Sequence, residues 1–260
     1  QGNCYPTEEG TPQGGIISPT LAVMTLTGLE ATIRKRFKRG SKVNIIFYAD
    51  DFIITGPNRV LLESEVKPLV EEFLKERGLD LSPEKTTICH IEEGFDFLGF
   101  NIRKYKGKFL SKPSTESLRR FLAGVREDIK SLRGASTDKI ILTLNPKIRG
   151  WCNYYRHASS SKAFGYIDHQ IYISLAQWVH RRHTRRSRVW ALKKYFKTVG
   201  NCNWVFSAVL KGKDHTRMIR LCRASSITIK RYIKIRGEAH PFNSAFKEYF
   251  EKREGNKTRS

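Results

Sequence analysis

Apolar residues recur with helical spacing across residues 16–40, where Leu26, Leu29, Ile33 and Phe37 fall three and four apart and so share one helix face. Ser18 offers an N-cap, Pro19 suits the first helical position and Gly40 stops the run. Two short apolar runs follow at 43–47 and 52–55, and the tetrad Tyr48-Ala49-Asp50-Asp51 between them reads as the turn of a β-hairpin. A second amphipathic helix spans 58–77, with Leu62, Val66, Leu69, Val70 and Phe73 on one side and Gly78 as its stop. Pro68 inside it predicts a kink or a restart, because proline lacks the amide donor and its ring crowds the preceding turn. A strand is expected over 85–91, and a hairpin over 95–110 turning at Lys106-Gly107.

After Lys112-Pro113-Ser114 the pattern becomes continuously helical. Leu118, Phe121, Leu122, Val125, Ile129 and Leu132 form a stripe that ends at Gly134, and helices are also expected over 139–151, 164–183 and 187–196. Past about residue 225 the chain is polar, with a frayed end expected at 255–260. Helix, hairpin, helix, strand and hairpin followed by helices is an α+β order.

Charge divides the chain in the same way. Residues 1–110 hold 15 Lys/Arg and 15 Asp/Glu, whereas residues 111–260 hold 33 against 10, so the whole formal net of +23 lies in the second part. An excess of that size points to a polyanionic partner, since neutralising phosphates releases condensed counterions. The five cysteines (Cys4, Cys89, Cys152, Cys202, Cys222) show no CxxC spacing. A disulfide framework or zinc knuckle is therefore not expected, and small buried cysteines in a reducing cytoplasmic setting are. No run of 18 uncharged apolar residues exists to span a membrane, and the polar start with Glu8 and Glu9 is unlike a secretory leader. The first residue is Gln, as expected of a processed chain or a piece of a longer one.

Asp50 and Asp51 carry the sharpest chemistry. Two adjacent carboxylates between strands that both read as buried are costly unless a cation offsets them, and Mg²⁺ takes carboxylate oxygens while leaving positions for substrate phosphates. A solvent-exposed Asp-Asp turn is the plain alternative; the flanks Ile45-Ile46-Phe47 and Phe52-Ile53-Ile54 favour the first.

Tyr48-Ala49-Asp50-Asp51 in this apolar frame resembles the catalytic motif of reverse transcriptases. Thr11-Pro12-Gln13-Gly14-Gly15-Ile16-Ile17-Ser18-Pro19 resembles the upstream segment that shapes the nucleotide and template pocket; Leu81-Ser82-Pro83-Glu84-Lys85-Thr86 resembles the next motif, and Phe97-Leu98-Gly99-Phe100 the hairpin that grips the primer end. The resemblance implies Asp50 and Asp51 as metal ligands in two-Mg²⁺ nucleotidyl transfer, and Lys85 as the group that protonates pyrophosphate. It further implies Gln13, Gly14, Gly15, Tyr48 and Ala49 at the nucleotide and template, and Leu98 and Gly99 at the primer.

The segment Leu144-Asn145-Pro146-Lys147-Ile148-Arg149-Gly150-Trp151-Cys152-Asn153-Tyr154-Tyr155-Arg156 is similar to the signature of group II intron maturases. Lys147, Arg149 and Arg156 suit phosphates and Trp151, Tyr154 and Tyr155 suit stacking, although Trp151 is expected mostly in the core. The run 180–188, with Arg181, Arg182, Arg185 and Arg186, and the pair Lys193-Lys194 extend the expected RNA surface; His180 and His183 are poorly placed for a metal among so many cations.

These resemblances imply a partial right-hand palm at 1–112, a helical thumb or maturase region at 113–224, and a basic extension at 225–260 that could begin a DNA-binding region. The implied partners are group II intron RNA, a DNA target or primer and deoxynucleotide triphosphates, with a homodimer left open. The implied setting is cytoplasmic, bacterial or organellar, in a ribonucleoprotein or at the nucleoid. The family's first metal-binding Asp is absent, so these 260 residues alone are expected to be inactive as a polymerase. A splicing-only maturase, or a retron or CRISPR-associated enzyme, are the alternatives.

Overall fold

A glycine divides the first helix in two. The computed structural model describes residues 16–38, 40–211, 216–230, 232, 234–236 and 239–257, and the expected helix over 16–40 forms as α1 (Ser18–Leu26) and α2 (Leu29–Arg36). Between them Thr27 is extended and Gly28 sits at φ 99°, a left-handed conformation that an L side chain resists. Ser18 lies inside α1, and Ile17 holds the cap position. Leu29 and Ile33 are buried, and an added Cβ on Gly28 would lie 3.7 Å from the Phe73 ring.

The hairpin forms as β1 (Asn44–Tyr48) and β2 (Asp51–Thr55), antiparallel, with Tyr48 opposite Asp51. The following helix absorbs its proline by a register change. Asn58 caps α3 (Arg59–Leu61) by accepting from the Leu61 amide at 2.8 Å, a π-helical turn spans Leu62–Val66, and α4 (Lys67–Lys75) restarts with Pro68 in its first turn. The wider turn removes the need for a bond from the missing Pro68 N–H. Val66, Val70, Phe73 and Leu74 pack with Leu29 and Ile33, and Ile45, Phe47, Phe52 and Ile54 cover this core from the hairpin. The strand expected over 85–91 is absent: the segment is turn and irregular structure, with no neighbouring strand to complete its ladder.

Two compact units divide the chain, Gln1–Gly94 and Phe95–Ser260. The change expected at residue 112 marks where the charge shifts; the packing boundary lies earlier because the next sheet belongs with the helices that follow it. That sheet is β3 (Phe95–Phe97), β4 (Phe100–Tyr105) and β5 (Lys108–Pro113). Its turns, Leu98-Gly99 and Lys106-Gly107, each place two successive residues at positive φ, the arrangement of a two-residue type I′ hairpin.

Ser114 then caps α5 (Thr115–Ser131), accepting from the Ser117 amide at 3.1 Å. Helices α6 (Thr137–Tyr155) and α7 (Ser161–Arg182) pack with it around Val125, Ile140, Ile141, Leu144, Ile148, Phe164, Ile167 and Leu175. Trp178 donates to the Leu132 carbonyl at 3.1 Å and Arg182 to that of Ala135 at 2.5 Å, which fixes the connection between α5 and α6. Helix α8 (Arg188–Tyr195) runs directly into a sheet of β6 (Phe196–Val199), β7 (Cys202–Lys211) and β8 (Thr216–Arg220) that the sequence reading did not anticipate. Its signal was present: Gly200-Asn201 joins two strands as a two-residue loop, with Gly200 at φ 56°. A polar helix, α9 (Lys247–Lys257), ends the described chain and was also not expected. No helix among the described residues is long and apolar enough to cross a membrane.

Replacing Gly28 by Ala should destabilise the first unit by about 1–2 kcal/mol, the cost of forcing a Cβ into a left-handed conformation. Urea unfolding checks this, and an unchanged midpoint would contradict the φ-based account of the helix break.

Candidate active site and nucleic-acid interface

The hairpin presents its two faces unequally. Ile45, Phe47, Phe52 and Ile54 point to the core of the first unit, with the Phe47 and Phe52 rings 5.9 Å apart. On the opposite face Ile46 and Tyr48 are 56% and 60% exposed. Ala49 and Asp50 form the two-residue turn, Asp51 begins β2, and both carboxylates are exposed. The expectation that strands and acid pair are buried is therefore corrected. Two unit charges about 4 Å apart in water repel by only about 1 kcal/mol, so no bound cation is required to hold this turn. Ala49 bears the local strain: its φ of 54° is left-handed without being glycine, at a cost of about 1–2 kcal/mol.

Lys85 lies in the same unit, exposed, on a turn in which its amide and that of Thr86 donate to the Ser82 carbonyl. No hydrogen bond or ion pair joins it to Asp50 or Asp51 among the described residues, so the structure does not bring these three groups together by direct contact. Gln13, Gly14 and Gly15 lie outside the described residues. No group of three or more His, Cys, Asp or Glu side chains is positioned to hold a metal among the described residues. Two neighbouring carboxylates suit Mg²⁺ as a partial donor set, since that ion commonly takes one or two carboxylates and completes its shell with water and phosphate.

In the second unit, the turn Leu98-Gly99 is clamped by two tyrosines of α6. Tyr154 donates to the Leu98 carbonyl at 2.9 Å and Tyr155 to that of Gly99 at 3.1 Å; the Tyr155 hydroxyl also meets the Ser117 hydroxyl at 2.5 Å. Both rings lie against Phe100, at 5.2 and 4.8 Å. A Cβ on Gly99 would stand 2.5 Å from the Tyr155 hydroxyl, and Gly99 is at φ 77°. Leu98 shares the strain at φ 50°.

The expected RNA-binding residues fall into three groups. Some have internal partners: Lys147 pairs with Asp128 at 2.6 Å, Arg156 donates to the Thr228 carbonyl at 3.0 and 3.2 Å, Arg182 holds the Ala135 carbonyl, and Tyr154 holds the turn. Arg156 and Tyr154, expected at phosphate and base, thus also fasten the fold. A second group, Arg149, Arg181, Arg185 and Lys193, is exposed with no side-chain partner among the described residues. The third surrounds Trp190, where Arg186 and Lys194 sit 5.2 and 5.3 Å from the ring centre. His183 lies edge-on to Trp190 and 2.8 Å from the Tyr195 hydroxyl. Desolvation, then Lys194, Arg182 and Arg186, hold the His183 imidazole below its ordinary pKa.

Trp151 is half-buried as expected, stacked 5.1 Å from Phe121 and 4.3 Å from Tyr155. Of the cysteines, Cys152 is buried and its thiol is pushed up to about 12 by burial, while Cys89 and Cys202 are exposed, against expectation; Cys4 lies outside the described residues. Sequence reasoning missed Asn145 and Asp168. Asn145 donates to the Arg220 carbonyl and accepts from the Cys222 amide, and Asp168 accepts from the Ala224 and Ser225 amides. Short polar side chains inside helical runs were the available signal.

Residues 1–102 match the family model described as reverse transcriptase (RNA-dependent DNA polymerase), and residues 118–196 match that of the group II intron maturase-specific domain. The group II intron-encoded protein LtrA of Lactococcus lactis subsp. cremoris is 24% identical over 270 residues, covering 69% of this chain and 45% of that protein. Protein YkfC of Escherichia coli is 26% identical over 133 residues, covering 39% of this chain and 34% of its own length. The chain thus spans less than half the length of either curated relative.

Tyr155→Phe should cost about 1–2 kcal/mol, since it leaves the Gly99 carbonyl without that donor. Gly99→Ala should cost more, because the clash and the positive φ add. Chemical denaturation of both variants checks the order, and equal midpoints would refute the clamp.

Proposed function

We propose, from the premise that this chain belongs to the group II intron reverse transcriptase/maturase family, that it is the palm-and-thumb part of an RNA-directed DNA polymerase whose thumb binds intron RNA to assist splicing and mobility. The observation that carries this is one of order. A reverse transcriptase match containing Tyr48-Ala49-Asp50-Asp51 in a two-residue hairpin precedes a maturase-specific match on a helical unit holding the whole positive excess.

Asp50 and Asp51 are the residues that would hold Mg²⁺. The ion supplies charge neutralisation at the transferred phosphate and activation of the attacking 3′-hydroxyl. The exposed turn leaves both carboxylates accessible to a nucleotide and the ion it carries. Lys85 is assigned to the leaving pyrophosphate; Gln13, Gly14, Gly15, Tyr48 and Ala49 to the nucleotide and template; and Leu98 and Gly99 to the primer. RNA phosphates are assigned to Arg149, Arg181, Arg185 and Lys193, together with Arg186 and Lys194 beside Trp190. Deoxynucleotide triphosphates, a DNA primer or target and intron RNA are the partners of this reading. A second reading, a splicing-only maturase, draws support from the solvent exposure of the acid pair.

Asp50→Asn with Asp51→Asn, assayed in the complete protein that carries this segment, separates the two readings. Loss of cDNA synthesis by at least a hundredfold with intron RNA affinity within about threefold supports the polymerase; a functional double variant supports the splicing-only reading. The RNA surface has a pH signature. A phosphate docked among Arg182, Arg186 and Lys194 adds negative charge beside His183 and raises its pKa, so binding takes up a proton. Affinity should therefore rise as pH falls from about 7.5 through the ordinary His value near 6.5 and level off below the depressed pKa of the free protein. His183→Gln should flatten the profile relative to the parent; identical profiles would place the phosphate elsewhere.

A further inference from the structure

We propose that the cleft between α7 and the sheet β6–β8 is a binding pocket for one unpaired nucleobase, with Trp204 as its stacking wall. The proposal rests on the RNA-binding reading above and adds a site within it. The sheet lies almost wholly beyond the maturase-specific match, which ends at residue 196.

The cleft has a volume of about 190 Å³, with Tyr172, Phe196, Phe206 and Trp204 among its lining. A cavity of about 150 Å³ accepts a benzene ring, so this one suits a single flat heterocycle rather than a stacked pair. Phe196 lies 5.2 Å from Tyr172 and 5.3 Å from Phe206, centre to centre, which makes a continuous aromatic floor. The Trp204 ring stands 6.4 Å from Phe196 and is 51% exposed. Its backbone is at φ 58°, beside the irregular register of β6 and β7 between Lys197 and Val199. A bulky residue held left-handed in a strand is costly, and such departures re-aim side chains beside functional sites. Here the result is a large indole on the surface when its neighbours Val205 and Phe206 are buried.

The polar groups at the rim fit a base and its phosphate. Asp168 accepts one amide with each carboxylate oxygen, at 2.6 and 3.0 Å, and each oxygen retains a lone pair for a base amino or imino group. The Asn203 carbonyl oxygen is taken by the Thr198 hydroxyl at 3.0 Å, which turns the amide NH₂ towards other acceptors. Arg223 is exposed at the mouth, placed for a phosphate. An aromatic floor, an aromatic wall and mixed polar edges are what recognition of splayed single-stranded RNA needs.

Trp204→Asn removes the ring while keeping a residue that tolerates the left-handed backbone; Trp204→Phe keeps a ring. The probes are a single-stranded 12-residue RNA and inorganic polyphosphate, which has the charge without the bases, each titrated at several salt concentrations. Trp204→Asn should weaken RNA binding about tenfold with an unchanged salt slope and unchanged polyphosphate affinity. Trp204→Phe should stay within about threefold of the parent, and the melting temperature of Trp204→Asn should not fall. Equal RNA affinity in Trp204→Asn and parent overturns the pocket alone. A parent that binds neither probe overturns the RNA-binding reading and the pocket with it. Equal loss on both probes overturns the pocket by making Trp204 a structural residue.

Discussion

Helix α6 ties the second unit together by hydrogen-bonding the backbone of two stretches distant from it in sequence. Its buried face, Ile140, Ile141, Leu144, Ile148 and Cys152, fixes its position against α5 and α7. Its remaining side chains then reach outwards. Tyr154 and Tyr155 take the carbonyls of Leu98 and Gly99, and Asn145 and Arg156, with His157 just beyond the helix, hold the backbone of residues 220–230. Unpaired backbone groups in a tight turn or an irregular strap cost about 1–3 kcal/mol each when buried. A motif that reads as a nucleic-acid surface is thus, residue by residue, largely the clasp of the fold.

That assignment changes what the basic excess means. Lys147 and Arg156 are engaged internally, so they contribute less to an external phosphate than their charge suggests. Exposed cations include Arg149 on α6 and Arg181 at the end of α7, and Arg186, before α8, and Lys194, on it, flank an exposed indole. Charge with an aromatic ring at its centre can hold both the phosphate and the base of a nucleotide. A uniformly basic surface offers phosphate attraction alone.

The sequence pattern was most legible where burial and local geometry agree. The stripe from Leu118 to Leu132 and the turns at Lys106-Gly107 and Gly78 are local decisions, and the structure follows them. It was less legible where a residue has two uses. Gly28 could be a helical residue or a break, and nothing in the neighbouring residues announces its left-handed backbone. Residues 85–91 have the composition of a strand without a partner strand among the described residues. The sheet β6–β8 follows α8 without a proline or glycine between them, so its start at Phe196 was hidden at the end of the helix expected over 187–196. The structural use of Tyr154 and Arg156 was hidden because their partners are carbonyls 56 and 72 residues away.

The acid pair shows how a conclusion can survive while its first warrant fails. The sequence argument required burial: two carboxylates in an apolar hairpin would demand a cation. The hairpin instead buries one face and leaves Asp50 and Asp51 in solvent, where their repulsion is small. What remains is geometric. A two-residue turn fixes both carboxylates at one end of a strand pair whose inner face is packed, and Ala49 accepts a strained φ to close it. Strain retained at a turn that glycine would relieve is difficult to explain by stability, since glycine at the first turn position would close the same hairpin more cheaply. In the polymerase reading proposed above, the fixed position of the carboxylates is what an incoming nucleotide and its metal ion would read.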